Sequence, residues 1–361
     1  MPYRLSAAFF VALLLTAFAG CSGGSRSEPP AASAPSIPAG GVLSITPNTS
    51  NFPPQSGPEI LAALQFTYDA GARGFYAAYR WSELEPQPGQ FALADVVNGL
   101  AVARSMGFTR VFLSIHVINT TNKETPSDLL GVAWSDPVMQ SRFRALLDQV
   151  IPLLGDEVLW FGIGNEVDAW LGPRNEWAAY RTFFEQARTH VRAAKPAMQV
   201  GVATILDGAR GPWRTEVQAL NALADVAIFT YYGNDNAFRA LPPSAATQAP
   251  NDMVSLAAGK PVVVQEFGQS SSAVNAGSES LQAQFIEQGL ATWSAIGATA
   301  MPFFSVFALH DFPAAFCDQL LVYYGTGPNT PFREYLCYLG LRRQGGAEKP
   351  AMAAVRAFGT R

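Results

Sequence analysis

Residues 160–170 read Trp-Phe-Gly-Ile-Gly-Asn-Glu-Val-Asp-Ala-Trp, and this stretch decides how the chain is interpreted. An apolar run over residues 158–163 leads directly into Gly164, Asn165 and Glu166. A short apolar run that ends in a polar cluster is typical of a buried parallel strand ending at a loop. Glu166 is then expected at the carboxyl end of that strand. Taken alone, the pattern also fits an acid that caps a strand at the surface.

A second stretch repeats the pattern further along the chain. Residues 260–268 read Lys-Pro-Val-Val-Val-Gln-Glu-Phe-Gly, so another apolar strand ends in a glutamate, Glu266. The carboxyl ends of parallel strands meet at one edge of a sheet or barrel. The two stretches therefore predict a pair of carboxylates on one face of a parallel sheet.

The whole chain alternates strand patterns with amphipathic helical patterns. The clearest helical patterns cover residues 92–106, 138–154, 177–195, 216–224 and 280–296. The strand candidates cover residues 42–45, 74–78, 110–115, 158–163, 199–203, 226–230, 261–265 and 300–304. Eight strands alternating with helices predict an α/β fold, the (β/α)₈ TIM barrel, with its chemistry at the strands' C-terminal ends. A doubly wound open sheet is the alternative, but no Gly-x-Gly-x-x-Gly follows an early strand.

The N-terminal segment has the features of a targeting sequence. Arg4 precedes an apolar run over residues 7–19 that is too short to span a bilayer. Small residues then precede Cys21, as at a signal cleavage site. Residues 18–21, Phe-Ala-Gly-Cys, resemble the bacterial lipoprotein box, although phenylalanine stands where leucine is usual. The resemblance implies that residues 1–20 are a signal peptide and that Cys21 is the lipidated first residue.

The segment that follows is expected to tether a single domain. Residues 21–40 carry Cys21 and are rich in Gly, Ser, Pro and Ala, a composition typical of a flexible linker. Residues 41–361 then fit one barrel with extended loops, the catalytic domain. Ser22 follows the cysteine, so the lipoprotein resemblance implies an exported protein anchored to the outer membrane, or facing the periplasm, in a Gram-negative cell. An ordinary secretory signal with a chance cysteine is the alternative.

Composition excludes several classes of function. Apolar residues make up 49% and charged residues 14% of the chain, which is typical of one folded domain. A net charge of −4 without Lys/Arg clusters argues against a nucleic-acid partner. The three histidines are scattered, and neither a P-loop nor a Gly-x-Ser-x-Gly elbow is present. We therefore expect no metal and no cofactor. We also expect a monomer.

Cys317 and Cys337 are the only other cysteines. In an exported protein they are expected to pair and to close a loop near the last strand. Two free, buried thiols are the alternative that the sequence leaves open.

The two glutamates carry a resemblance to a known group of enzymes. Asn165-Glu166 at the fourth predicted strand end, with Glu266 at the seventh, resembles the retaining glycoside hydrolases of clan A, which include cellulase-, mannanase-, galactanase- and xylosidase-like enzymes. The resemblance implies that Glu166 is the acid/base and Glu266 the nucleophile in cleavage of a β-linked poly- or oligosaccharide. Such chemistry needs one protonated carboxyl and one ionised carboxylate about 5–5.5 Å apart.

The same resemblance implies roles for two more polar residues. Asn165 matches the asparagine that hydrogen-bonds the sugar 2-hydroxyl, although an asparagine also turns a chain after a strand. Arg80 follows the second predicted strand, where many clan members place an arginine that keeps the nucleophile ionised. A surface salt bridge of Arg80 with Glu83 or Glu85 is the alternative.

Histidine and aromatic side chains complete the expected site. His116 ends the third predicted strand, where clan members often bind sugar, although a core or capping histidine fits as well. Tyr231, preferred over Tyr232, resembles the strand-six tyrosine of the clan that hydrogen-bonds the nucleophile. Trp170 is expected to contact substrate, among tryptophans in or near the loops after strands. The complete set of these tryptophans is Trp81, Trp134, Trp170, Trp177 and Trp213.

One stretch departs from the clan pattern. Clan members usually carry a tryptophan at the end of the eighth strand, whereas residues 301–307 here read Met-Pro-Phe-Phe-Ser-Val-Phe. The bound sugar therefore stays open. A non-catalytic glycan-binding lipoprotein on the same barrel, or a structural protein of the cell envelope, is the alternative to an enzyme.

Overall fold

The computed structural model describes residues 34–53 and 56–361. The predicted signal peptide, Cys21 and most of the predicted tether lie outside the described residues. Among the described residues, no helix is both long enough and apolar enough to cross a bilayer.

Ten strands form the sheets in the described part of the chain. They are β1 (Val42–Ile45), β2 (Gly74–Arg80), β3 (Arg110–Asn119), β4 (Asn122–Lys123), β5 (Val158–Asn165), β6 (Gln199–Gly201), β7 (Ala203–Ile205), β8 (Ala227–Tyr232), β9 (Val262–Gly268) and β10 (Phe303–Val306).

Thirteen α-helices of the described residues surround or cover these strands. They are α1 (Gly57–Asp69), α2 (Trp81–Leu84), α3 (Ala94–Ser105), α4 (Pro137–Val150), α5 (Val167–Arg174), α6 (Trp177–Ala194), α7 (Leu206–Arg210), α8 (Arg214–Leu223), α9 (Ser244–Leu256), α10 (Glu279–Ile296), α11 (Ala314–Tyr323), α12 (Thr330–Cys337) and α13 (Pro350–Gly359).

The parallel strands form a ring. One sheet runs in the order β1-β10-β9-β8-β7 and the other in the order β2-β3-β5-β6. Only Val202 separates β6 from β7 along the chain, and the Arg73 N–H donates to the Leu43 carbonyl at 3.0 Å where β1 meets β2. Counting β6 and β7 as one strand position, the ring therefore has eight strand positions, which we call staves. The predicted (β/α)₈ barrel is confirmed.

The barrel has an inner and an outer core because side chains alternate along each strand. The inner core is small and aromatic: the ring of Phe303 lies 5.8 Å from that of Phe112 and 5.2 Å from that of Trp160. The outer core lies between strands and helices and contains most of the buried aliphatic side chains. The inner rings fill the barrel below its C-terminal mouth.

The third stave is longer than its sequence pattern predicts. The prediction ends at residue 115, whereas β3 continues to Asn119 because Val117 and Ile118 are fully buried. The extension folds back on β4, with Ile118 opposite Lys123 in antiparallel pairing. This β3–β4 hairpin brings polar residues over the mouth of the barrel.

Candidate active site

Glu166 and Glu266 meet at the mouth of the barrel. Glu166 directly follows β5 and has a left-handed backbone with φ 49°. Gly164 just before it has φ 88°, and a Cβ there would lie 2.5 Å from a Val167 methyl. Glu266 lies in β9 opposite Thr230 of β8. Burial, together with the negative charge of Glu166, raises the pKa of Glu266 to about 7.

Both carboxylate oxygens of Glu166 accept hydrogen bonds from threonines. Thr120 donates to Oε2 and Thr230 to Oε1, each at 2.7 Å. Burial raises the pKa of Glu166, while the two hydroxyls act in the opposite direction. Burial favours the protonated carboxyl that a general acid needs.

Glu266 accepts a hydrogen bond from Tyr232, and the prediction that Tyr231 plays this part is wrong. The Tyr232 hydroxyl lies 2.5 Å from Oε2 of Glu266. Alternation along β8 explains the correction, because Thr230 already faces Glu166 and the next inward side chain is residue 232. Tyr231 instead packs in the outer core against Phe285, with its ring 5.0 Å from the Arg210 guanidinium.

Asn165 lies beside the pair and is held at both ends of its amide. Its Nδ2 donates to Oδ1 of Asn119 at 2.8 Å, and its Oδ1 accepts from Nε2 of Gln265 at 2.6 Å. The side chain is therefore fixed at the junction of β3, β5 and β9 rather than serving only to turn the chain. Its predicted bond to a sugar 2-hydroxyl stays a prediction.

Arg80 forms ion pairs at the mouth of the barrel, and its predicted role in keeping Glu266 ionised stays a prediction. Its guanidinium lies 3.4 Å from the Glu83 carboxylate and 3.7 Å from that of Glu124, and 5.0 Å from the centre of the Tyr323 ring. Glu124, which directly follows β4, forms one of the ion pairs of the Arg80 guanidinium. Hydrogen bonds from Tyr232 and Gln265 favour the charged form of Glu266.

His116 lies on the floor of the pocket. It is buried, and its Nε2 lies 3.3 Å from the Tyr76 hydroxyl. Burial, assisted by the positive charge of Arg80, lowers the pKa of His116 to about 3, so the ring is neutral near pH 7. Besides burial, the charges of Glu266 and Glu166 raise the pKa of Tyr76, which places this pair next to the carboxylates.

The tryptophans make contacts within the protein, and the predicted contact of Trp170 with substrate stays a prediction. Its indole N–H donates to Glu176 at 2.9 Å, and the Arg174 guanidinium lies 3.5 Å from its ring centre. The Trp134 N–H donates to the same carboxylate oxygen at 2.9 Å. Trp81, Trp134 and Trp177 are buried in the outer core.

Tyrosines take the place that the sequence assigned to tryptophans. Burial and the charges of Glu166 and Glu266 raise the pKa of both Tyr324 and Tyr335, so both hydroxyls lie near the pair. They come from the segment between β10 and α13, which sequence reasoning missed because it carries no strand-end motif. The one signal was the cysteine pair: Cys317 and Cys337 form a disulfide that joins α11 to α12.

The end of the eighth stave supplies a phenylalanine where clan members usually have tryptophan. Phe307 is half-buried, and its ring lies 5.8 Å from that of Tyr232 in an edge-on contact. It therefore lies beside the tyrosine that binds Glu266. No cluster of three or more His, Cys, Asp or Glu residues suited to a metal ion occurs among the described residues.

Comparisons with known proteins place the fold. No family model and no curated protein matches the sequence. A GH5_18 protein from Bifidobacterium longum subsp. infantis has a TM-score of 0.68 at 15% identity, over 88% of this chain and 78% of the other. An exo-β-1,4-mannosidase from Opitutaceae bacterium strain TAV5 has a TM-score of 0.69 at 18% identity, over 91% and 61%.

A third structure was solved with a bound sugar. A GH5_18 variant from Streptomyces cattleya, in complex with Manb1-4GlcNAc, has a TM-score of 0.68 at 16% identity, over 89% of this chain and 80% of the other. At such identities the likeness establishes the fold. The predicted resemblance to the (β/α)₈ glycoside hydrolases of clan A is thus confirmed at the level of the fold.

Proposed function

We propose that the protein is a retaining glycoside hydrolase that acts on a β-linked oligo- or polysaccharide. The observation that carries the proposal is the pair of buried carboxylates at the ends of β5 and β9. Burial raises the pKa of both, and the charge of Glu166 raises that of Glu266 further. Two adjacent buried carboxyls share a proton near neutral pH, because ionising both is costly. One proton and one negative charge are what double displacement requires.

The mechanism assigns one step to each carboxyl. Glu266 attacks the anomeric carbon as the bond to the leaving oxygen breaks, and Glu166 donates its proton to that oxygen. The covalent glycosyl-enzyme is then attacked by water, whose proton returns to Glu166 while Glu266 leaves. Thr120 and Thr230 hold both oxygens of Glu166 through these changes of charge.

The test compares Glu166→Ala and Glu266→Ala on aryl β-glycosides with good and poor leaving groups. Glu266→Ala is expected to lose turnover on all of them, since no covalent intermediate forms. Glu166→Ala is expected to keep the first step for good leaving groups, which need little protonation, and to accumulate glycosyl-enzyme. Azide, which needs no base, should then restore turnover and give a β-glycosyl azide.

The matched control is Glu287→Ala, which removes an exposed glutamate of α10 and should leave turnover unchanged. Wild-type activity in either Glu166→Ala or Glu266→Ala would remove that residue from the mechanism. The panel includes Manb1-4GlcNAc, the sugar bound to a structurally similar protein. Binding of a glycan without cleavage across the panel would instead favour a glycan-binding protein.

A further inference from the structure

A line of aromatic rings crosses the mouth of the barrel. The ring of Tyr323 lies 4.9 Å from that of Tyr324, which lies 5.6 Å from Phe332. The ring of Phe332 lies 6.2 Å from that of Tyr335. Tyr335 in turn meets Tyr232, edge-on at 5.6 Å. We call Tyr323, Tyr324, Phe332 and Tyr335 the aromatic arch.

The arch is anchored on one side to the β3–β4 hairpin. The Tyr323 hydroxyl accepts a hydrogen bond from Asn119 at 2.9 Å and donates one to Glu124 at 2.5 Å. Its main-chain carbonyl accepts from the Asn122 side chain at 3.1 Å. These three bonds join residues about 200 positions apart in the chain and bring α11 across the pocket to the third stave.

The other side of the arch is anchored beside β8. Phe238, in the loop after β8, has its ring 5.4 Å from that of Tyr335 and 5.0 Å from that of Phe332. The disulfide between Cys317 and Cys337 ties the two helices that carry the arch. The segment that contains α11 and α12 therefore covers one side of the mouth and is held at both ends of the aromatic arch.

The covered side of the mouth is the side of the nucleophile. In the ring of staves, a segment that leaves β10 and reaches both β3 and β8 passes over β9, β10, β1 and β2. No ring contact or hydrogen bond within the described residues joins the arch to β5, β6 or β7. Glu266 on β9 therefore lies on the covered side. Glu166 lies at the edge of the arch, because Thr120 donates to its carboxylate and also contacts the Tyr324 side chain.

We propose that the aromatic arch closes the pocket around a single terminal sugar, so that the enzyme releases one monosaccharide at a time from non-reducing ends. This inference rests on the proposed function. The sugar that becomes bonded to Glu266 occupies the enclosed side, where the arch leaves no path for a chain to continue. The leaving group, protonated by Glu166, extends through the open sector over β5, β6 and β7.

The first test is the product pattern of the wild-type protein. The substrates are reduced β-1,4-linked manno-, gluco- and xylo-oligosaccharides of two to six units, the matching polysaccharides, and aryl β-glycosides. The expected result is release of monosaccharide, a ladder that shortens by one unit from the non-reducing end, and no fall in polysaccharide viscosity. Internal cleavage with activity on aryl glycosides would overturn the arch inference and keep the glycosidase. Inertness on every substrate would overturn both.

A pair of variants on the same segment tests the arch itself. Tyr324→Ala removes a ring that faces the carboxylates, whereas Val322→Ala changes an 82% exposed neighbour two residues away. Tyr324→Ala is expected to lower kcat/KM for aryl monoglycosides at least about tenfold, because it removes a contact to the enclosed sugar. Val322→Ala should match the wild type. Equal kcat/KM in both variants, with unchanged melting temperatures, would overturn the inference.

Discussion

The hydroxyl of Tyr232 is a closer hydrogen-bond donor to Glu266 than the side chain of Gln265. Its hydrogen bond at 2.5 Å lowers the pKa of Glu266 against the effect of burial. Tyr232→Phe removes that bond, so the pKa of Glu266 rises and the acidic limb of the pH–kcat/KM profile moves to higher pH. A bond to a charged group is worth about 1.5–3 kcal/mol, so kcat/KM near pH 6 should fall roughly tenfold to a hundredfold. The control is Tyr231→Phe, whose ring lies in the outer core, and an equal effect of both variants would contradict the assignment.

At the scale of elements, the disulfide joins two short helices that cover the site. Cys317 and Cys337 are 20 residues apart, so their link restricts the unfolded chain. Replacing both by serine should lower the free energy of unfolding by up to about 3 kcal/mol and should reduce kcat/KM, because α11 and α12 hold the aromatic arch. Denaturant unfolding and non-reducing peptide mapping by mass spectrometry check the prediction. A mature wild-type protein with both thiols free would refute the disulfide. Unchanged kcat/KM in the double variant would show that the aromatic arch keeps its position without the disulfide.

At the scale of the whole molecule, we propose that Cys21 carries a lipid and anchors the barrel through the tether. The basis is the resemblance of residues 18–21 to a lipoprotein box. Cys21→Ser should move the protein from the membrane fraction to the soluble fraction, since the acyl chains that hold it can no longer be attached. Detergent phase partitioning and mass spectrometry of the mature N-terminus measure this. A wild-type chain that begins elsewhere without modification would disprove the anchor.

The sequence by itself determined the barrel and the two carboxylates. Strand periodicity depends on neighbouring residues, and apolar runs ending in Asn165-Glu166 and Glu266 place both acids at strand ends before any contact is known. All eight predicted staves are present, and the main difference is the extension of β3 into its hairpin.

Only the tertiary structure decided which side chains surround those acids. The choice between Tyr231 and Tyr232 depends on the phase of alternation in β8, which a one-residue shift reverses. Arg80 is drawn to Glu124 by a hairpin that local patterns do not predict, and Trp170 is drawn to Glu176. Tyr324 and Tyr335 reach the site because α11 and α12 fold back over the mouth. Such long-range contacts depend on how distant segments pack, and sequence periodicity contains no information about that packing.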